Sequence, residues 1–148
     1  NEVDMEYYDQ IPFRIDGLIC NKFEIRGELK EGETDLEIGF SFGVRPSAHH
    51  ARCTMNYTIS QGDDIRVFLD LTCLFSMPKN AFDERKKGDT FILSADDAQY
   101  LATINVGAAR GELHARASQY SSSWEKLTLP PVNLLEAITK DVVIELKS

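Results

Sequence analysis

His49, His50 and Cys53 stand close together, and Cys20, Cys73 and His114 complete the residues of this chain that could hold a soft metal or serve as a thiol nucleophile. A structural zinc site takes four such ligands and a catalytic one takes three. They usually come in short repeats, and neither a Cys-x-x-Cys nor a His-x-x-x-His spacing is present. On an extended backbone the adjacent His49 and His50 would point to opposite sides. A reactive thiol needs a polar setting and a base. Cys53 and Cys73 instead stand in alternating apolar runs, where cysteine behaves as a small hydrophobe. No Gly-rich phosphate loop is present, and no Ser-containing nucleophile elbow is expected. The carboxylates are scattered over turns and strand exteriors, as on a solvated surface. These residues predict no enzyme, no metal and no cofactor.

The elements that carry these residues are mostly strands. Phe13, Ile15, Gly17 and Ile19 alternate with Arg14, Asp16 and Leu18; the phase slips at residues 20–22, before Phe23 and Ile25. A bulged strand fits that slip. After a polar connection at residues 27–34, Leu36, Ile38, Phe40, Phe42 and Val44 alternate with Glu37, Gly39, Ser41 and Gly43. The glycines leave one face of that strand bare, as where a backbone or ligand approaches closely. Cys53, Met55, Tyr57 and Ile59 form a third period-two run. Ile65, Val67, Leu69, Leu71, Cys73, Phe75 and Met77 form a fourth, across the short loop at residues 60–64. These two predict an antiparallel hairpin. Phe68 and Leu74 fall on the outer face of the fourth strand, which points to a contact surface there. Residues 78–90 read as a solvated connection. Residues 91–93 read as apolar contacts leading into a helix cap.

That cap is Ser94, with Asp96 and Asp97 placing negative charge on the positive helix end. The helix then offers Leu101, Ile104, Ala108, Gly111 and Ala115 at three- and four-residue steps. Two readings of this small-residue face stand. One is a thin core helix, kinked near Gly107 or Gly111; the other is a helix packed closely against a second copy of the chain. Residues 118–126 form a polar loop holding Tyr120 and Trp124, and Pro130 and Pro131 impose an extended path. Asn133 caps a short helix running from Leu134 to about Lys140, and residues 142–146 are either a short strand or a frayed helix end. Strands first and helices after give an α+β class. The expected architecture is a four-stranded antiparallel sheet, a long helix, a Pro-bounded lid loop and a short C-terminal helix. Residues 1–148 make one domain, with residues 1–10 either a loose arm or anchored by Tyr7 and Tyr8.

With 148 residues the chain can bury a real core. Its hydrophobic fraction of 43% and charged fraction of 27% suit a soluble globular protein. A net charge of −8 argues against binding a nucleic-acid backbone and favours a basic or unfolded partner. No apolar run approaches the roughly 20 residues of a membrane span. Three cysteines without close spacing argue against a disulfide framework and for a reducing, cytoplasmic location.

The order of parts, with Arg110-Gly111 followed by Leu129-Pro130-Pro131-Val132-Asn133-Leu134-Leu135 and preceded by Leu71-Thr72-Cys73-Leu74-Phe75-Ser76, resembles the SecB export chaperones and their SecB-like relatives. The pattern spans about residues 13–138. The resemblance implies an ATP-independent holdase for unfolded or nascent polypeptides, assembled as a dimer of dimers with helices sandwiched between sheets. It implies a client groove from Trp124, Leu127, Leu129, Val132 and Leu134, joined by Phe68 and Leu74, and an oligomer face from Leu101, Ile104, Ala108, Gly111 and Ala115. Two features depart from the family: residues 112–129 separate Gly111 from Pro130, and the chain ends soon after the lid. Two partners stand, the export motor of a protein-export role and a toxin–antitoxin partner, and the second fits the shorter C-terminus at least as well. The other reading is a SecB-shaped adaptor or small-ligand binder with one dedicated partner.

Overall fold

The computed structural model describes residues 11–124, 127, 129 and 131–146; residues 1–10, read above as an arm, lie outside them. Four long strands, β1 (Arg14–Ile25), β2 (Asp35–Arg45), β3 (His50–Gln61) and β4 (Asp64–Ser76), form one antiparallel sheet in the order β1-β4-β3-β2. The alternating residues explain its sidedness. Met55, Tyr57 and Ile59 of β3 and Val67, Leu69, Leu71 and Phe75 of β4 are buried on one face, with Cys53 opposite Cys73. Burial of this kind contributes roughly 25 cal/mol per Å² of apolar surface. The other face carries Arg52, Thr54, Asn56 and Thr58 on β3 and is largely open. The β3–β4 turn is tighter than residues 60–64: Gln61 already pairs with Asp64, and Gly62 takes a φ of 62°.

The first strand bulges twice, between Ile15 and Gly17 and between Cys20 and Lys22. The second bulge is the slip seen at residues 20–22. The first splits the expected alternation. Ile15 pairs with Phe75 on the core side, whereas Gly17 and Ile19 pair with Leu74 and Thr72 on the open side. As β1 is an edge, Ile15 stays 55% and Leu18 41% exposed.

Residues 78–90 are more ordered than a solvated connection. Helix α1 (Lys79–Arg85) buries Ala81 and Phe82. The Phe82 ring lies 5.2 Å from His49 and 5.0 Å from Phe91. Next come β5 (Lys86–Lys87) and β6 (Thr90–Leu93). The residues expected to lead into the cap are thus a strand, with Phe91 and Leu93 fully buried. The C-terminal residues are also a strand, β7 (Val142–Glu145), completing a second sheet in the order β5-β6-β7.

Helix α2 (Ala95–Tyr120) packs on β3 and β4 and starts where the cap predicts: Ser94 Oγ accepts from the Asp97 N–H at 3.0 Å. Asp141 accepts from the Ala95 N–H, and Arg85 binds Asp97 through both carboxylate oxygens at 2.8 and 3.2 Å. The buried stripe of α2 is Ala98, Leu101, Ala102, Asn105, Val106, Ala109, Leu113 and Ala117. Asn105 bolts helix to sheet: its Nδ2 donates to the Cys53 and Leu71 carbonyls at 3.0 and 3.1 Å, and its Oδ1 accepts from the Tyr57 hydroxyl at 3.0 Å. Helix α3 is short, Leu134–Ala137, and Asn133 Oδ1 caps it through the Glu136 N–H. It ends before Lys140 because Ile138 turns extended and buries into the core.

Candidate functional site

One side of α2, turned away from the sheet and partly open to solvent, borders the segment before α3. Gln99, Thr103, Val106, Gly107 and Arg110 form one wall of a groove, and Val132, Asn133, Leu134 and Leu135 form the other. Its volume is about 550 Å³. The wall residues on α2 fall at three- and four-residue steps, one helical stripe. Gly107 sits at its centre, and a Cβ there would meet nothing within 4 Å. The opposite wall is fixed by the Asn133 cap and by Gln99 Nε2 donating to the Ile138 carbonyl at 2.8 Å. Leu135 is 72% exposed. Val106, Val132, Leu134 and Leu135 with Arg110, Gln99 and Asn133 at hand suit an extended peptide: side chains on Val and Leu surfaces, backbone on the polar groups.

The seven residues expected to bind clients fall in three places. Val132 is in the groove and half-buried, as is Leu134. Trp124, Leu127 and Leu129 are buried core residues of this same chain, and Trp124 Nε1 donates to the Gly27 carbonyl at 3.0 Å. Phe68 and Leu74 lie on the open face of the sheet, half-buried, with the Lys22 ammonium 5.5 Å from the Phe68 ring centre. Gln99, Thr103 and Val106 escaped the sequence reading, which took Gly107 only as a kink position. Their signal is a second stripe on α2 centred on a glycine.

The helix face Leu101, Ile104, Ala108, Gly111 and Ala115 is rotated from the core stripe. Leu101 belongs to the core, Ile104 and Ala108 are half-buried, and Gly111 and Ala115 are exposed. Much of the core stripe is alanine and Asn105, weak hydrophobic signals, so periodicity alone did not single it out from this neighbouring flank.

The thiols are held neutral. Burial pushes Cys53 up to about 12, helped by the neighbouring Cys73, and burial pushes Cys73 up to about 11. Burial likewise raises the Tyr57 hydroxyl. His49 packs on Phe82, His50 sits 3.5 Å from the Asp16 carboxylate, and His114 is exposed. Among the described residues no three His, Cys, Asp or Glu side chains gather as a metal site. Gly39-Phe40-Ser41-Phe42-Gly43 has the Gly-x-Ser-x-Gly spacing of a nucleophile elbow, although none was expected from the sequence. That motif needs a sharp strand-to-helix turn. Here it is straight strand, with Ser41 paired to Thr54. Among the described residues no helix is long and apolar enough to cross a membrane.

No family model and no curated protein matches this sequence. A solved structure does: the Mycobacterium tuberculosis Rv1957 SecB-like chaperone in complex with a ChAD peptide from the Rv1956 HigA1 antitoxin. The TM-score is 0.55 at 14% identity, over 89% of this chain and 96% of that one. The agreement is one of architecture: an antiparallel four-stranded sheet, a long helix and a short helix. The chain has the SecB-like fold.

Proposed function

We propose that this chain is an ATP-independent, SecB-like chaperone that holds extended polypeptide segments in the groove between α2 and residues 132–135. The observation that carries this reading is the groove itself, about 550 Å³, with Val132, Leu134 and an exposed Leu135 on one wall and a small, mostly polar α2 stripe left open by Gly107 on the other. Unfolded clients expose the apolar side chains and unpaired backbone that such walls accept. We further propose that residues 1–148 act as one domain and assemble as a dimer of dimers. Support comes from apolar side chains that the chain leaves exposed, Ile15 and Leu18 of β1, with Ile15 and Ile104 of α2 lining one cavity. Three unpaired cysteines support a reducing, cytoplasmic setting.

The test fills the groove without harming the fold. Gly107→Leu adds a side chain into open space and gains roughly 1 kcal/mol of helix propensity. Binding of a reduced, unfolded model protein, followed by fluorescence anisotropy, should weaken about tenfold, equivalent to about 1.4 kcal/mol, while the melting temperature holds or rises. Unchanged affinity in the folded variant would remove the groove from the mechanism. Light scattering on a sizing column should give four chain masses.

A second reading is favoured by one observation: the similar chaperone was solved with an antitoxin peptide. On that reading the groove serves one dedicated partner. A protein that ignores unfolded clients yet binds a single peptide in a Gly107-dependent way would select it.

A further inference from the structure

The open face of the sheet carries a cationic corner, far from the groove. Two adjacent cross-strand rows build it. Arg14, Ser76, His50 and Arg45 align in one row, and Gly17, Leu74, Arg52 and Gly43 in the next. Arg45, Pro46, His50, Arg52 and Leu74 surround a cavity of about 340 Å³ there. This concentration of positive charge runs against a chain of net charge −8. Among the described residues none of Arg14, Arg45 and Arg52 is within 4 Å of a carboxylate, and Asp16 is occupied by His50 at 3.5 Å.

Gly43 makes the corner more than a scatter of surface charge. A Cβ at that position would fall inside the Arg52 guanidinium. Glycine therefore lets the guanidinium sit against the β2 backbone, and Gly43 is buried beneath it. A planar fork held in this way loses less freedom on binding a carboxylate than a free arginine does. Leu74 adds an apolar floor.

We propose that this corner docks an acidic segment of a polypeptide partner, its carboxylates on Arg52 and Arg45 and an apolar neighbour on Leu74. Charge complementarity selects the occupant: a basic or neutral segment gains nothing from two guanidiniums. The site lies on the sheet face opposite α2, so it is independent of the groove.

The probe is a fluorescein-labelled peptide of alternating Glu and Ala, with a Lys–Ala peptide as control, read by anisotropy. The full chain should bind the acidic peptide only, and binding should fade as salt rises from about 0.02 to about 0.3 M. Arg45→Ala with Arg52→Ala should weaken it about tenfold. Gly43→Ala keeps every charge but moves the guanidinium, the flexible end of a side chain, so the fold survives; affinity should drop by about threefold. Gly107→Leu should leave this binding unchanged while it disables the groove. Equal affinity in the double arginine variant, or equal binding of the Lys–Ala peptide, would overturn the proposal. Inorganic phosphate binding in place of the peptide would also overturn it. So would tighter peptide binding after Glu2, Asp4, Glu6 and Asp9 are made amides, which would assign the corner to the chain's own acidic segment.

Discussion

Cys53 and Cys73 face each other across β3 and β4 with no exposed surface, and both remain free thiols. Their neutral form is built into the core, which ties stability to pH. An unfolded thiol titrates near about 8.5, whereas in the fold these reach about 12 and about 11. The raised values mean that their full contribution is present below about pH 8.5 and is lost as pH climbs toward 11 and beyond. The slope is up to about 1.4 kcal/mol per pH unit for each thiol. Denaturant midpoints measured from pH 7 to pH 10 should fall at the upper end, and Cys53→Ala should flatten that fall. A flat profile in the unmodified chain would contradict it. The burial of both cysteines was legible, because strict alternation assigns every second residue of a strand to one face. Their direct opposition was not, since it depends on the exact turn, and Gly62 shortens that turn relative to residues 60–64.

At the scale of elements, α2 is held by one polar residue as much as by apolar ones. Asn105 is fully buried and satisfies two sheet carbonyls and the Tyr57 hydroxyl. Removing it orphans polar groups where water cannot reach, at about 1–3 kcal/mol each. Asn105→Ala should therefore lower stability by about 2 kcal/mol or more in chemical denaturation; a loss under about 0.5 kcal/mol would mean that the carbonyls are satisfied without it. Nothing in the local pattern marks Asn105, since a polar residue within a helix ordinarily signals an exposed face. The helix start, by contrast, was written in Ser94 and Asp97, because capping is a contact between residues three apart. The small sheet was illegible for the opposite reason. Pairing of β6 with β7 joins segments separated by all of α2, and each is only four residues long. The groove was half legible. The Pro-Pro-Val-Asn-Leu segment stood out as a motif, but its partner stripe on α2 is polar and small.

Over the whole molecule, the sheet divides two kinds of surface. Its covered face, with α2, carries the core and the groove; its bare face carries the hydroxyl network of Thr54, Thr72 and Asn21 and the arginine corner. That division follows from alternation and was foreseeable, but strand order was not. Although β1 and β2 are neighbours in sequence, they occupy opposite edges. The connection between them passes the C-terminal end of α2. There Ser121 and Ser123 donate to Glu28, holding its carboxyl below the usual range, and the Gly27 carbonyl meets Trp124. The crossing imposes an order on folding. The β2-β3-β4 meander closes through two hairpins, contacts that are quick to find. Among the described residues β1 has only β4 as a ladder, and the loop that carries it is anchored by residues nearly a hundred positions away. Such distant closure is slow. In pulse-labelled amide exchange, protection in β1 should lag behind β3, and simultaneous protection would refute that order. Until β1 arrives, the apolar row Val67, Leu69, Leu71 borders a vacant hydrogen-bonding edge on β4. A protein whose proposed task is to shelter the unfinished chains of others thus passes through its own unfinished state with an adhesive strand exposed.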